Sequence, residues 1–213
     1  TPLSEYLSRR PEALGGRVPQ GSGLPVIIKL IDAREPLSVQ VHPCDEYAAR
    51  VEGGRGKTEM WLVLDRVPGA FLYCGFERET EVGEVRARIA DGTLDQLLRR
   101  VPVEPGDVVF IPAGTVHAIG AGIVLAEIQQ SSNTTYRMFD YGRRGPDGRK
   151  RPLHVEKALD VAALAPAETR PPGREAPRSM PGGSIERLTL CPFFTVELLT
   201  LDGVVRGATD DAT

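Results

Sequence analysis

Cysteine is scarce and scattered in this chain of 213 residues: Cys44, Cys74 and Cys191 are its three thiols. That count and spacing exclude a disulfide framework and a paired-thiol metal site. Cys44 follows His42 by two residues, where a thiolate could compete for a metal, but its expected place is the far side of the Pro43 turn, as a small buried hydrophobe. Long apolar runs are also missing. The stretches from Leu24 to Leu30 and from Val108 to Pro112 are far too short to span a bilayer, and no charged-then-apolar export signal opens the sequence. The setting expected is cytoplasmic, with no membrane partner. Charge of one sign is lacking as well: a net charge of −3 gives no long-range attraction for nucleic acid. Any anionic substrate must be held by a local cluster of cations. The cationic loop from Tyr141 to Arg151 has no interleaved aromatics and reads as a solvated turn.

With 41% hydrophobic and 26% charged residues, the chain can bury a sizeable core. A short helix with Leu3, Tyr6 and Leu7 on one side is expected in residues 1–23. Short strands bounded by Gly or Pro are expected at Leu24–Ile31, Leu37–Val41, Glu59–Leu64, Ala70–Cys74, Asp107–Pro112, Ala118–Gly120, Ile123–Gln130 and Thr134–Asp140. Thr80–Ala90 and Thr93–Arg100 have helical spacing, with Val85, Ile89, Leu94, Leu97 and Leu98 as an apolar stripe. His154–Ala163 reads as a further short helix. Residues 164–183, rich in Pro, Gly and Arg, read as a linker, followed by one last strand at Phe193–Leu201. Many short strands and few helices argue for a mainly β protein of the jelly-roll type.

Alternation then brings out a set of metal-binding candidates. Residues two apart on a strand share a face, so Ser38, Gln40 and His42 project together, as do Lys57 and Glu59. His117 closes the string Gly106-x5-Pro112-x-Gly114-x2-His117, in which two turns aim the imidazole inward. Two imidazole nitrogens, a carboxylate and an amide oxygen suit zinc or a similar divalent ion. A lone histidine in a strand is more often a packed residue than a ligand, so the combination carries the argument.

The string ending at His117 resembles the second metal motif of the cupin superfamily of small β-barrels, and Gln40, His42 and Glu59 resemble a variant of the first. Ser38-Val-Gln-Val-His42, Gly56-Lys-Thr-Glu59, Pro112-Ala-Gly-Thr-Val-His117 and Thr134-Thr-Tyr-Arg137 together resemble class I mannose-6-phosphate isomerase in its short bacterial form. The match runs from about Leu24 to Val161. The resemblance implies a cupin-type jelly-roll β-barrel over residues 1–163 with a helical insertion near 80–100, and a partial C-terminal β segment over 184–213 that could open a second barrel. It also implies an isomerase that interconverts mannose 6-phosphate and fructose 6-phosphate through a cis-enediol. One zinc per chain would be held by Gln40, His42, Glu59 and His117. Ser38 and Lys57 resemble substrate-contacting positions near phosphate, and Arg137 resembles the family's catalytic arginine. Glu127 and Gln129 could hydrogen-bond the sugar, although alternation also permits them to face solvent.

Two positions depart from the family pattern. Asn133 stands where an Asp is expected four residues before the arginine, and an amide cannot act as a base. Gly56 occupies a position that is often His in longer relatives. The base is therefore open between a water on the ion, Lys57 and Glu127, and Lys57 could serve only when neutral. A non-catalytic cupin that binds a sugar phosphate or another small anion is the alternative from a different class. A cupin dioxygenase fits less well, because such sites usually carry three histidines for iron. The sequence gives no oligomeric state.

Overall fold

The computed structural model describes residues 2–14 and 24–204. Its strands are β1 (Val26–Ala33), β2 (Val39–Val41), β3 (Glu59–Arg66), β4 (Phe71–Phe76), β5 (Leu98–Pro102), β6 (Val108–Ile111), β7 (His117–Ile119), β8 (Ile123–Gln130), β9 (Tyr136–Phe139), β10 (Arg178–Met180), β11 (Gly183–Leu190) and β12 (Thr195–Leu201). Its α-helices are α1 (Leu3–Arg9), α2 (Asp45–Glu52), α3 (Val82–Asp91) and α4 (Val155–Val161). The mainly β class is as expected. The strands form separate antiparallel sheets, and no closed barrel is present among the described residues. No described helix is long and apolar enough to cross a membrane.

The chain divides into two compact units, Ile28–Pro171 and Thr1–Ile27 with Pro172–Thr213. In the first unit the order β1-β8-β3-β6 makes a four-stranded sheet and β5-β4-β7-β2-β9 a five-stranded one. Trp61, Val63, Val109, Ile111 and Leu125 of the four-stranded sheet share a buried core with Leu72, Cys74 and Ile119 of the five-stranded one. The strands therefore alternate between two environments. Their other residues, Val39, Val41, Tyr73, Ala118 and Met138, face a second core completed by Val85 and Ile89 of α3 and by Ala158 and Leu159 of α4. A strand with both faces covered reads as apolar at nearly every position, which is the pattern of β4 and β7.

Three elements differ from the sequence reading. Helix α2 was not expected, because its polar run exposes all but Tyr47 and the fully buried Ala48, too thin an apolar stripe to register. Residues 93–100 form a 3-10 turn at Leu94–Leu97 that hands over to β5, not one helix. Pairing with β4 supplies what helical spacing could not show. In the second unit, β10, β11 and β12 make a three-stranded antiparallel sheet, where one strand was expected. β10 lies inside the stretch read as linker.

Candidate metal centre

β2, β3 and β7 carry the site. β2 pairs with β7 so that Gln40 stands opposite His117, and with β9 so that Gln40 stands opposite Arg137. Directly opposed residues share a face, so Arg137, Gln40 and His117 form one row on the inner face of the five-stranded sheet. Glu59 opens β3, opposite Ile111 and Gln129. His42 follows β2 directly. Gly106 and Gly114, with φ of 93° and 89°, make the two turns expected before His117, a backbone region that glycine enters without steric cost. The Gly114 N–H donates to the His42 carbonyl at 2.8 Å, which ties the second turn to the strand that carries the other imidazole.

His42, Glu59 and His117 are buried, with ligand atoms all within 4.8 Å of one another. His42 Nε2 lies 3.4 Å from Glu59 Oε2, and His117 Nε2 lies 3.3 Å from Glu59 Oε1. Each imidazole is fixed from behind: His42 Nδ1 faces the Thr134 carbonyl at 3.0 Å and His117 Nδ1 the Thr115 carbonyl at 2.8 Å. A carbonyl oxygen only accepts, so both Nδ1 atoms carry the proton and both Nε2 atoms present a lone pair. Burial pushes the His42 imidazole down to about 4, against the opposing pull of Glu59, and lowers His117 for the same reason. Both are neutral near pH 7. Burial also acts to raise Glu59, but His42, His117 and Lys57 outweigh it and hold the carboxyl below its ordinary range.

Two bare nitrogens and a carboxylate thus converge in a water-poor space, an arrangement that repels itself unless a cation joins it. Lys57 shows the demand. Its buried Nζ sits 2.8 Å from Glu59 Oε2 and 3.0 Å from His42 Nε2. Despite that ion pair, neither Glu59 oxygen receives a hydrogen bond of sound geometry, and a buried carboxylate left so carries a penalty of several kcal/mol, roughly. The Gln40 amide nitrogen meets His117 Nε2 at 3.3 Å. Its oxygen, the atom a metal needs, takes that place when the amide turns over. The donor set fits zinc: two imidazoles, one carboxylate and one amide within reach.

The other sequence candidates fall into two groups. Ser38, Lys57 and Glu127 are buried in the same unit. Glu127 faces inward, with Oε1 accepting from Lys29 Nζ at 2.8 Å and Oε2 from Trp61 Nε1 at 3.2 Å; Gln129 likewise accepts from Lys29 at 2.6 Å. Arg137 reaches the Pro152 carbonyl at 2.9 Å and makes no hydrogen bond to His42, Glu59 or His117. Asn133 is exposed and lines an open cavity of about 430 Å³ with Glu52, Tyr136, His154 and Lys157. Sequence reasoning missed Trp61, whose ring meets His117 edge-on at 5.4 Å, and Lys29. Trp61 had a signal, being two residues beyond Glu59 on the same strand face; Lys29 had none.

Gly56 has a steric explanation. A Cβ there would lie 2.5 Å from the Asp45 nitrogen and the Cys44 carbonyl carbon, far inside van der Waals contact. The Gly56 N–H donates to Asp45 Oδ1 at 2.7 Å, and the Lys57 N–H to the Pro43 carbonyl at 3.0 Å. The close approach seats Lys57 and Glu59 against the turn that follows His42.

No family model matches the chain. It is 42% identical over 206 residues to a mannose-6-phosphate isomerase of Streptococcus mutans serotype c, which covers 96% of this chain and 63% of that relative. It is 47% identical over 143 residues to a mannose-6-phosphate isomerase of Bacillus subtilis, covering 67% of this chain and 45% of the relative. The crystal structure of the mannose 6-phosphate isomerase from Bacillus subtilis superposes with a TM-score of 0.83 at 33% identity, over 93% of this chain and 62% of that one. The chain thus spans less than two thirds of the length of these relatives.

Proposed function

We propose, from its similarity to mannose-6-phosphate isomerases, that this chain interconverts mannose 6-phosphate and fructose 6-phosphate with one zinc ion per chain. The carrying observation is the buried His42, Glu59 and His117 cluster, whose ligand atoms lie within 4.8 Å of one another, with each Nε2 beside a Glu59 carboxylate oxygen. Gln40 completes the proposed ligand set. Bound zinc supplies Lewis-acid stabilisation of the charge that gathers on sugar O1 and O2.

The chain's own residues have separate tasks. Arg137, permanently cationic, holds the cis-enediolate from the side of β9. Lys57 is the proposed proton-handling group, since its Nζ is buried within hydrogen-bond reach of the ligand atoms. Glu127, fixed by Lys29 and Trp61, is a stationary acceptor for a sugar hydroxyl. Ser38 and Asn133 are proposed as further substrate contacts. We further propose that the catalytic segment lies within residues 1–163, that 184–213 belong to a separate β segment, and that the setting is cytoplasmic.

The test is a coupled assay of mannose 6-phosphate conversion by this chain as purified, after chelation, and after zinc is restored. Activity lost on chelation and regained with zinc is the expected outcome. A zinc-loaded chain that binds mannose 6-phosphate without turning it over would replace this proposal with the non-catalytic cupin.

A further inference from the structure

β9 is the outer strand of the five-stranded sheet, so one side of its backbone lacks a strand partner. At Arg137 that side is nevertheless satisfied. The Arg137 N–H donates to His154 Nδ1 at 3.1 Å, and the His154 N–H donates to the Arg137 carbonyl at 2.8 Å. One residue therefore supplies both the donor and the acceptor that a neighbouring strand would supply. The Pro152 carbonyl accepts from the Arg137 guanidinium at 2.9 Å. Residues 152–154 thus hold Arg137 at its amide, its carbonyl and its side chain.

The holder is itself anchored. His154 precedes α4, whose Ala158 and Leu159 are buried in the outer core. Glu52 of α2 braces the same helix, accepting from Lys157 Nζ at 2.7 Å and from the Tyr136 hydroxyl at 2.8 Å. Rigid support of this kind is what an arginine needs if it is to meet developing charge without reorganising. From these contacts we infer that His154 is a positioning residue for Arg137, acting as a surrogate strand edge rather than touching substrate. The inference rests on the role given to Arg137 above.

The geometry fixes a state of the ring. Nδ1 accepts, so it is bare, and the proton resides on Nε2. Asparagine can place its Oδ1 close to where Nδ1 stands; alanine has no acceptor, and glutamine carries its acceptor one bond too far. Misplacing a catalytic group by about 1 Å lowers rates by up to about 100-fold. His154→Ala and His154→Gln are therefore expected to lower kcat by about 10- to 100-fold with KM and zinc content unchanged, and His154→Asn to restore most of the rate.

A measurement independent of turnover accompanies the kinetics: ¹⁵N shifts of the His154 ring in the intact chain, expected to show a protonated Nε2 and a bare Nδ1. A proton on Nδ1, or equal loss of kcat in the Asn and Ala variants, would overturn the inference. An inactive wild-type chain would remove the isomerase proposal, while the ring tautomer would still decide whether His154 carries the edge of β9.

Discussion

On one face of the five-stranded sheet, Val39, Val41, Tyr73, Ala118 and Met138 pack against α3 and α4; on the other, Arg137, Gln40 and His117 stand in a row that meets Glu59 across the interior. The same strands build both faces, and successive residues belong to opposite environments. Burial on the outer face removes apolar surface from water and stabilises the fold. Burial on the inner face does the reverse, holding a carboxylate and two imidazole lone pairs out of water where each raises the free energy of the metal-free chain. Stability and chemistry are therefore separated by a single step along the sequence.

The separation is most strongly tested by His117→Ala. Loss of bound zinc together with a fall in activity of more than about 100-fold is expected, beyond what losing an outer partner of a ligand costs. Arg137→Ala, in the same row, should retain stoichiometric zinc by elemental analysis and lose turnover alone. Equal zinc loss in both would break the division of tasks on the inner face. On the outer face, Met138→Ala should lower unfolding free energy by about 2–5 kcal/mol in denaturant titration, with zinc content unchanged.

A smaller effect reads the inner face directly. Zinc at 100 times its dissociation constant should stabilise the wild-type chain by about 2.7 kcal/mol. Glu59→Gln should abolish most of that gain, and its metal-free form should be less stable than the metal-free wild type, because the buried Lys57 ammonium loses its carboxylate partner. Unchanged metal-free stability would mean that the pair contributes nothing without zinc.

The smallest effect distinguishes the histidines. Burial, then Arg137 and Lys157, depress the His154 pKa, with Glu52 opposing. A depressed pKa means that the unfolded chain takes up the proton first as pH falls below about 6.5. The associated stability is present above that pH and is lost as pH falls through the folded value. Stability measured between pH 7 and pH 5 should therefore decline more steeply in the wild type than in His154→Asn.

Alternation made the inner face legible. Gln40, His42, Glu59 and His117 could be assembled from spacing and turn glycines because strand geometry converts sequence parity into direction. Parity could not reveal which carbonyl stands behind each imidazole, since Thr115 and Thr134 contribute backbone atoms that any residue has. Lys29 was hidden for a similar reason: its pairing with Glu127 depends on β1 lying beside β8, a long-range choice. β5 was misread because Leu94, Leu97 and Leu98 satisfy helical spacing while the decisive fact, the open edge of β4, lies some twenty residues earlier. His154 looked like an ordinary helix start, and its bond to Arg137 appears only once β9 is known to be an edge.

Gly56 places a bound on how this centre can change. The backbone of Cys44 and Asp45 occupies the volume that any side chain at position 56 would need, so the Pro43–Asp45 turn acts as a wall on that side of the candidate metal centre. A mutational route that adds an imidazole at 56 meets a dead end at its first step, since the turn must be redrawn before the new residue fits. The number of protein donors available here is thus set by the path of the main chain, and the composition of the site can be tuned by substitution only at positions that already point inward.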